Sequence, residues 1–489
     1  MGVDGEGMDG VVWRSMVGMG AKRNVEAGQV IEHTDLAVNA EVLARHDRPG
    51  PRYTSYPPAN VWDEAFPEGR YRQALAEAGD RPEPLSLYVH IPFCHGRCAF
   101  CGCNVIVNRK PGAEDRYLDY VERELALLAG FVGHRPVAQL HWGGGTPTFL
   151  TVERLERLHA AVADRFDFAP GAEQALEVDP RVTSREQARV LRALGFNRVS
   201  LGVQDFDPAV QEAIGRNQTE EQTRRLMEWL REEGFGGINI DLVYGLPKQN
   251  LEAWDRTLGA IAELRPGRLA VYSYAHLPAK LHNQRRIAEE ELPSRETKYE
   301  LFALARRRLL EAGYRAIGMD HFAAPGDELT EAMDAGRLRR NFMGYTVQPG
   351  ADMLGVGASA IGDIQGVYAQ NAKKLSTYYQ PLDEGRFPVH AGHALSADDA
   401  MRRWVIHELM CNFGVDHAAF EARFGQPFAE AFAGEDGALK ELEAADFIER
   451  GADRLAVKPL GRVFIRNVAM AFDAYLGRAV SEKTYSRTV

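Results

Sequence analysis

The segment Tyr88-Val-His-Ile-Pro-Phe-Cys-His-Gly-Arg-Cys-Ala-Phe-Cys-Gly-Cys103 decides the interpretation of this chain. It contains four of the five cysteines, with Cys94, Cys98 and Cys101 in the spacing C-x3-C-x2-C and Cys103 two positions later. Thiolates gathered this closely typically hold a metal centre. Three thiolates on one short loop can bind three irons of a 4Fe–4S cluster. The fourth iron then keeps an open coordination position, at which chemistry can begin.

Two other uses of these cysteines fit less well. A structural zinc site normally takes ligand pairs from separated segments, and the stretch from Cys94 to Cys103 leaves little chain to enclose an ion in that way. Disulfide frameworks belong to secreted domains that are dense in cysteine, whereas the one remaining cysteine here is Cys411. We therefore expect one cluster per chain, bound by Cys94, Cys98 and Cys101.

Several motifs accompany the cysteines, and their combination is more specific than the cysteine spacing. They are Arg52-Tyr-Thr-Ser-Tyr-Pro57, His90-Ile-Pro-Phe-Cys94, the additional Cys103, His141-Trp-Gly-Gly-Gly-Thr-Pro-Thr148 and Gly202-Val-Gln-Asp-Phe206. The C-x3-C-x2-C spacing after a predicted strand resembles the radical S-adenosylmethionine (SAM) enzymes. Taken in this order, the motifs resemble the oxygen-independent coproporphyrinogen III oxidase (dehydrogenase) family of haem biosynthesis. The resemblance extends over residues 50 to 475.

Length and composition indicate a globular protein with more than one domain. A chain of 489 residues is too long for one simple core, so we expect a large domain and a smaller one. Hydrophobic residues make up 45% and charged residues 26%, as is typical of globular proteins. The sequence contains neither an apolar run long enough to span a bilayer nor a secretory signal. We therefore expect a cytoplasmic protein without membrane insertion.

The net charge of −11 bears on the choice of partners. Nucleic-acid binding needs clustered Lys and Arg, so an acidic chain is a poor candidate for it and no nucleic-acid partner is expected. An anionic substrate would have to meet a local basic pocket. We expect the protein to act as a monomer.

Six apolar, β-branched runs alternate with amphipathic segments. The runs are Leu85–Phe93, Ala138–Gly143, Ala175–Asp179, Arg198–Gln204, Ile238–Leu246 and Arg268–Ala275. The amphipathic segments include Tyr117–Ala129, Glu153–Phe166 and Gln222–Glu233. This alternation predicts an α/β fold of parallel strands with helical crossovers, built as an incomplete (β/α)6 barrel. Functional residues gather at the C-terminal ends of such strands, where the cysteines and the glycine turn fall.

Four regions are predicted along the chain. Residues 1–33 are rich in Gly and Met and predict a disordered extension, and residues 34–80 form an N-terminal arm that carries the Arg-Tyr-Thr-Ser-Tyr-Pro motif. Residues 81–385 contain the partial barrel and its elaborations, and residues 386–489 a mostly helical domain. In the last region Phe447–Pro459 predicts a hairpin, which with its helices resembles a winged helix. The acidic charge favours a lid over the active site rather than DNA binding.

Several residues beside the cysteines are candidates for binding a cofactor. The turn Gly143–Thr148 lacks the side chains that would keep a ligand from its backbone, and its N–H and C=O groups can meet charged groups. Glu177 and Asp241 are acids in apolar strands, where each needs a cation or hydrogen-bond donors; a ribose hydroxyl, an amine, a sulfonium or a structural salt bridge would serve. Arg216 fits either a carboxylate clamp or a solvated helix position.

Three further residues have a chemical and a structural interpretation. Phe100 suits stacking on an adenine or ordinary packing. Tyr88 is placed to reach a ligand of the open iron through its hydroxyl, or to form part of the barrel wall. Cys103 either touches substrate or SAM or fills space as a small apolar residue. We take Tyr88 and Cys103 as candidate catalytic residues.

The family resemblance implies two SAM molecules in one site. The cluster-bound SAM would contact Tyr88, Gly144, Glu177 and Ile361. The second SAM would contact Phe100, Gly145, Thr146, Gln204, Arg216, Asp241 and Ala275. In that family the equivalent of Cys103 is not counted as a cluster ligand.

The resemblance also implies a reaction, the oxidative decarboxylation of coproporphyrinogen III to protoporphyrinogen IX. A SAM-derived 5′-deoxyadenosyl radical would take a hydrogen atom from a propionate β-carbon, and loss of carbon dioxide and one electron would leave a vinyl group. Two propionates react, and an electron donor and an acceptor, both unidentified, are required. The substrate carboxylates call for arginines, for which we name Arg52, Arg339 and Arg340.

Three alternatives to this function remain open from the sequence. A related haem chaperone keeps the cluster motif but typically lacks both Cys103 and the segment Arg52–Pro57, so the presence of both favours the enzyme. Another radical SAM enzyme, such as a relative of the haem-degrading methyltransferases, is the second. A zinc-stabilised structural protein is the third.

Overall fold

The computed structural model describes residues 30–32, 37–79, 81–107, 110–347, 350–476 and 485–488. Its strands are β1 (Val30–Glu32), β2 (Ala37–Asn39), β3 (Leu85–Ile91), β4 (Val137–Gly144), β5 (Phe168–Val178), β6 (Arg198–Gln204), β7 (Gly237–Tyr244), β8 (Arg268–Ser273), β9 (Arg315–Ile317), β10 (His321–Ala323), β11 (Arg339–Asn341), β12 (Gly344–Thr346), β13 (Asp352–Val356), β14 (Ile361–Ile364), β15 (Val367–Asn371), β16 (Val389–Ala394), β17 (Gly414–Asp416), β18 (Ile448–Arg450) and β19 (Arg454–Val457). Its α-helices are α1 (Ala40–His46), α2 (Glu68–Gly79), α3 (Ala113–Val132), α4 (Val152–Ala163), α5 (Arg185–Ala193), α6 (Pro208–Ile214), α7 (Glu220–Glu232), α8 (Leu251–Leu264), α9 (Arg295–Glu311), α10 (Glu328–Asp334), α11 (Leu375–Asp383), α12 (Ala397–Asn412), α13 (His417–Phe424), α14 (Phe428–Ala431), α15 (Asp436–Ala444), α16 (Pro459–Val463) and α17 (Ile465–Met470). Short 3-10 helices lie at Ala59–Val61, Pro147–Phe149, His282–Arg286, Glu289–Glu291 and Ala433–Glu435.

A sheet of 12 strands organises the described residues, in the order β16-β15-β14-β13-β3-β4-β5-β6-β7-β8-β10-β9. Strands β3 to β8 pair in parallel, each with the next strand in the chain. These are the six strands that the apolar runs predicted, and helices α3, α4, α5, α7 and α8 lie between them as crossovers. The chain therefore has an α/β fold with a parallel sheet and a helical C-terminal region.

Burial on both faces explains why these strands were visible in the sequence. Strand β3 is buried along almost its whole length, which parallel strands covered on both sides require. The crossover helices α5 and α7 begin at capping boxes on Ser184 and Thr219, whose side chains accept the N–H groups three residues on. The core between helices and sheet includes the fully buried Trp142, Phe196 and Trp254. This packing fixes the ends of the strands that carry the site.

Strand β13 was not predicted, and it widens the parallel part of the sheet to seven strands. It pairs in parallel with β3, with Gly355 opposite Tyr88, and β14 to β16 continue the sheet antiparallel. A buried ion pair fixes its first residue, because Arg135 Nη1 lies 2.7 Å from Asp352 Oδ2. Arg135 also donates to the carbonyl of Glu83, just before β3. These contacts join chain segments that are far apart in sequence.

The C-terminal region contains the predicted hairpin as β18 and β19, with β17 added as a third strand. Helices α12 and α13 lie in the region that the sequence predicted to be mostly helical. The buried guanidinium of Arg466 ties this region to the N-terminal arm, since it donates to the carbonyls of Gly50 and Pro51 and to those of Ser486 and Arg487. The arm is therefore held in place both by α17 and by the C-terminal residues 486–488.

Most of the predicted extension, residues 1–33, lies outside the described residues. Its one described part, β1, pairs antiparallel with β2. In the part of the chain that the structure describes, no helix combines the length and the apolar character needed to cross a membrane.

Candidate active site

A cavity of about 560 Å³ lies at the C-terminal ends of β3 to β8. Most of the residues predicted for the site line this cavity. They are Cys94, Cys98, Phe100, Cys101, Cys103, Gly144, Gly145, Thr146, Glu177, Gln204, Arg216 and Asp241. Strands β4 to β8 and the loop that follows β3 therefore all contribute to the cavity, as expected for strands joined by helical crossovers.

The cysteine loop follows β3 directly, and its thiols have polar neighbours. Cys94 Sγ lies 3.3 Å from Thr146 Oγ1, and the backbone N–H of Cys103 donates to Cys101 Sγ at 3.4 Å. Contact with Cys103 is the largest cause that lowers the pKa of the Cys101 thiol, whereas burial raises the pKa of Cys94 to about 11. Bound iron would compensate that burial, because metal ligation requires thiolates.

The donor set fits an iron–sulfur cluster better than a single ion. A tetrahedral zinc site with Zn–S distances near 2.3 Å brings its sulfurs to about 3.8 Å of one another. Among the described residues, no group of three or more His, Cys, Asp or Glu side chains is arranged to hold a metal ion. Cys94, Cys98 and Cys101 nevertheless face one cavity. Three thiols that face one cavity, without being arranged around a single ion, suit thiolates that each bind a different iron of one cluster.

The side-chain amides of Asn283 and Gln284 hold the cysteine loop through its backbone carbonyls. Asn283 Nδ2 donates to the carbonyls of Cys98, Ala99 and Cys101 at 3.1, 2.9 and 2.9 Å. Gln284 Nε2 donates to the carbonyl of Phe100 at 3.0 Å. These contacts fix the backbone on which the thiols are mounted. Neither residue was predicted, because nothing in the local pattern of the 3-10 helix His282–Arg286 marks them.

The glycine turn is needed because atoms of the protein itself leave no room for a Cβ at these positions. A Cβ on Gly144, whose φ is +108°, would lie 2.2 Å from the ring of His90. A Cβ on Gly145 would lie 2.6 Å from the carbonyl oxygen of Phe93, and one on Gly143 would meet the Glu177 carboxylate at 2.9 Å. The glycines thus allow β4 to approach the cysteine loop closely. They also leave the Gly144 N–H to donate to Glu177 Oε2 at 3.0 Å.

A chain of hydrogen bonds orients Tyr88. His90 Nε2 lies 3.0 Å from the carbonyl oxygen of Asn104, which only accepts, so Nε2 carries the proton. Burial lowers the pKa of His90 and keeps the ring neutral, which leaves Nδ1 as an acceptor. The Tyr88 hydroxyl, 3.0 Å from Nδ1, therefore donates to it. Its oxygen remains an acceptor for a donor such as an amine.

Two carboxylates face the cavity in different electrostatic settings. Burial tends to raise the pKa of Glu177, but the nearby His141, with Nε2 at 3.7 Å, and the N–H of Gly144 outweigh it, so the pKa is lowered. Burial raises the pKa of Asp241 to about 6, although Ser200 donates to it at 2.8 Å. Glu177 is thus held as an anion, while a cationic ligand beside Asp241 would lower its pKa and stabilise its ionised form.

Arg216 belongs to an ion-pair array beside the cysteines. Its Nη1 lies 3.1 Å from Asp179 Oδ2 and 3.9 Å from Cys98 Sγ, and its Nη2 donates to the carbonyl of Gly202 at 2.6 Å. Arg181 Nη2 lies 2.7 Å from the same oxygen of Asp179. The array places two cations and one anion next to the Cys98 thiol. Asp179 and Arg181 also line the cavity.

Some predicted residues lie outside the cavity lining. Tyr88 is not among the residues that line the cavity, and its ring stacks on that of His141, with ring centroids 5.9 Å apart. Ile361 begins β14 against Gly355 of β13, and Ala275 lines a separate cavity of about 630 Å³.

The predicted substrate arginines are divided between two tasks. The guanidinium of Arg52 lies 5.5 Å above the ring of Tyr272, and Tyr272 lines the cavity. Arg340 Nη1 instead donates to the carbonyls of Arg52 and Tyr53, at 2.7 and 3.2 Å. Arg339 lies 3.4 Å from Glu408. Arg340 therefore holds the arm that places Arg52.

Ser200 and Tyr272 also line the cavity and were missed. Alternation along β6 and β8 was the one signal for inward-facing residues, and it does not distinguish a cavity wall from a packed interior.

Comparison with known proteins identifies the family of this chain. The sequence model of the Radical SAM superfamily matches residues 88–261, and that of the HemN C-terminal domain matches residues 395–464. The oxygen-independent coproporphyrinogen III oxidase of Escherichia coli is 45% identical over 455 residues, which cover 93% of this chain and 98% of that protein. The protein of the same name from Synechocystis sp. is 43% identical over 456 residues, covering 92% and 98%.

A solved structure extends the similarity to three dimensions. It is that of coproporphyrinogen III oxidase (HemN) from Escherichia coli, described as a radical SAM enzyme. It superposes with a TM-score of 0.84 at 46% identity, covering 87% of this chain and 97% of that one. The chain belongs to the oxygen-independent coproporphyrinogen III oxidase family of radical SAM enzymes.

Proposed function

We propose that this protein converts two propionates of coproporphyrinogen III to vinyl groups, giving protoporphyrinogen IX without oxygen. The observation that carries the proposal is the single cavity in which three cysteine thiols, the glycine turn and the two carboxylates meet. The bacterial relatives that match nearly the whole chain are named for this activity.

The residues of this chain would divide the work. Cys94, Cys98 and Cys101 would hold a 4Fe–4S cluster, which together with SAM supplies 5′-deoxyadenosyl radical chemistry when bound. Tyr88, as an acceptor, and Glu177, as an anion, suit the amine of a SAM at the open iron. Exposed in the cavity, Cys103 is accessible to substrate or to SAM.

A second SAM molecule is part of the proposal. Gly144 and Glu177 lie toward β4 and β5, whereas Gln204 and Asp241 lie on β6 and β7, so the cavity has two groups of predicted contacts. Asp241, whose pKa is raised by burial to about 6, is suited to a cationic partner. Equilibrium dialysis with radiolabelled SAM should find two molecules per chain. The Asp241→Asn variant should retain one.

We also propose that β3 to β8 curve as an incomplete (β/α)6 barrel. Six strands in a flat sheet would span about 24 Å at 4.8 Å per strand. One cavity of about 560 Å³ is lined from all six strand ends or the loops that follow them, which is support for curvature.

Substrate recognition is assigned to Arg52. Its guanidinium lies at the cavity wall over Tyr272, and Arg340 fixes the backbone that presents it. An Arg suits a propionate carboxylate because its fork can bind both oxygens. Arg52→Ala should raise the KM for coproporphyrinogen III by about tenfold or more, the loss of one charge-assisted contact, with SAM affinity unchanged. An unchanged KM would remove Arg52 from substrate binding.

The deciding experiment is an anaerobic assay of reconstituted protein with coproporphyrinogen III, SAM and a reductant. Vinyl products and 5′-deoxyadenosine should form together in the parent protein, and neither should form in Cys98→Ala. Haem binding without SAM-dependent decarboxylation would instead support the haem-chaperone alternative.

An unidentified electron donor and acceptor complete the proposed reaction. We propose that the protein acts as a monomer in the cytoplasm, where a reducing environment suits the free thiols, including the exposed Cys103. Analytical ultracentrifugation of the loaded protein would test the monomer.

A further inference from the structure

A basic surface surrounds the cysteine loop. We call it the cluster-loop face and define it by Arg97, Lys280, Arg285, Arg286, Lys373, Lys374 and Val107. All seven residues are exposed.

Three contacts place these residues around the loop. Arg286 Nη2 donates to the carbonyl of Arg97, inside the C-x3-C-x2-C motif. Asn283, three residues after Lys280, donates to three carbonyls of the same loop. On the other flank, Asn104 Nδ2 donates to the carbonyl of Lys373 at 3.1 Å. Both basic segments, 280–286 and 373–374, are therefore in contact with residues 97–104 of the cysteine loop.

The charge of this face opposes that of the whole chain. The net charge is −11, yet the stretches 94–107, 276–286 and 371–376 contain no Asp or Glu. Glu289 follows the basic 3-10 helix, and the exposed Glu212 lies on α6, whose last residue, Ile214, accepts the N–H of Ala99 in the loop. A cationic patch kept clear of acids on an acidic protein attracts an acidic partner and repels most others.

Val107 gives this face an apolar contact point. It is the one large hydrophobic side chain that stands exposed among the described residues, at 43%. It follows Ile106, whose carbonyl accepts the N–H of Cys94 at 3.3 Å, so it lies beside the first cluster ligand. An apolar residue rimmed by charge is typical of a protein–protein contact.

We propose that the cluster-loop face is the docking surface for an acidic one-electron carrier protein. The inference rests on the proposed function, in which each SAM cleavage consumes one electron. The carrier is oxidised by one electron, and the centre held by Cys94, Cys98 and Cys101 is reduced by one, with no bond made between the two proteins. The half-exposed Cys94 and Cys101 lie on the loop that the face surrounds, so a docked carrier comes close to them.

Two matched variants test the proposal. Lys280→Glu with Lys374→Glu replaces two cations of the face. Among the described residues, neither lysine side chain forms a hydrogen bond or an ion pair that the substitution would remove. Arg189→Glu with Arg423→Glu makes the same charge change at exposed positions on α5 and α13. Binding of an acidic flavodoxin and of an acidic 2Fe–2S ferredoxin is measured on anaerobically loaded protein by calorimetry, from 20 to 300 mM salt, with basic cytochrome c as the negative probe.

The face variant should bind an acidic carrier about tenfold more weakly at low salt and show a smaller salt dependence, while the control variant binds as the parent does. Stopped-flow reduction of the cluster by the reduced carrier should slow in parallel. Reduction by dithionite, and the decarboxylation that dithionite supports, should stay unchanged, which separates docking from the proposed function.

Equal weakening in both variants, an unaltered Kd in the face variant, or no binding of either acidic carrier to the parent would overturn the proposal. Binding of anionic phospholipid vesicles in place of the carriers would assign the basic residues to a membrane surface and overturn it as well.

Discussion

Asn283 Nδ2 lies 2.9 Å from the carbonyl oxygen of Cys101, and the same nitrogen reaches the carbonyls of Cys98 and Ala99. One side chain thus restrains three residues of the cysteine loop. It lies on the 3-10 helix that follows β8, whereas the cysteines follow β3, and these are the first and last strands in the row β3 to β8. The shape of the cysteine loop thus depends on a segment that is distant from it in sequence.

The first prediction concerns this restraint. Asn283→Ala should loosen the loop by about 1–1.5 kcal/mol, the scale of one net hydrogen bond, since two amide hydrogens are shared among three carbonyls. Iron release to a chelator should become about tenfold faster, and the absorbance of the loaded protein should fall accordingly. His282→Ala, at the exposed neighbour, serves as the control. Equal release rates in both variants would contradict the restraint.

The second prediction separates two glycines of the site. Gly145→Ala places a Cβ 2.6 Å from the Phe93 carbonyl oxygen, one residue before Cys94, whereas a Cβ on Gly96 meets nothing within 4 Å. The crowding in Gly145→Ala should cost about 1–3 kcal/mol and displace the loop. A lower melting temperature and a reduced iron content are expected, with Gly96→Ala close to the parent. A tolerated Gly145→Ala would show that the turn can shift freely.

The third prediction addresses a buried acid away from the cavity. Glu124 on α3 accepts from the N–H of Gly357, from Asn371 and from the Tyr378 hydroxyl, at 2.8, 2.6 and 2.6 Å. At pH 8, above its pKa of about 7, the carboxylate is ionised and all three contacts need an acceptor. Glu124→Gln turns one acceptor into a donor and should lower the unfolding free energy by about 1–3 kcal/mol in urea. Tyr378→Phe, which removes one donor, should cost less. If Tyr378→Phe cost more than Glu124→Gln, the Glu124 carboxylate would not be the group that these three hydrogen bonds depend on.

The fourth prediction is a pH dependence that arises from Asp241. Burial raises its pKa in the folded protein to about 6, above the ordinary value of 3.8. The folded state therefore binds the proton more tightly than the unfolded state does, and this stabilisation is lost as the pH rises from about 4 through about 6. In Asp241→Asn this pH-dependent loss of stability is absent. The unfolding free energies of the ligand-free parent and the ligand-free variant should therefore converge, or cross, as the pH rises. Urea unfolding between pH 4.5 and 7 measures this, and parallel profiles would refute it.

Local pattern was sufficient to predict the strands of the parallel sheet and the cysteine loop. Leu85–Ile91 is buried on both faces, so its composition alone identifies it as a strand. The cysteines, Gly144, Glu177 and Asp241 were placed together because strand order brings successive C-terminal ends to one edge. These inferences needed no knowledge of contacts between distant segments.

Features that depend on such distant contacts escaped prediction. Asp352–Val356 is a short run in a glycine-rich region, and what makes it a strand is β3, paired through Arg135 and Asp352 from a remote part of the chain. Asn283 acts through backbone carbonyls, which have no identity in the sequence. The position of Ala275 against a separate cavity follows from the path of the loop after β8, which periodicity does not specify.

The pairing of β3 with β13 has a consequence for synthesis on the ribosome. Translation at about 5–20 residues per second leaves on the order of 10–50 s between emergence of the cysteine segment and of the strand that covers its edge. Throughout that interval the nascent chain presents β3 as an unprotected template for aberrant pairing. We expect productive metallation to await release of the completed polypeptide, and holdase chaperones to engage the growing intermediate in the meantime.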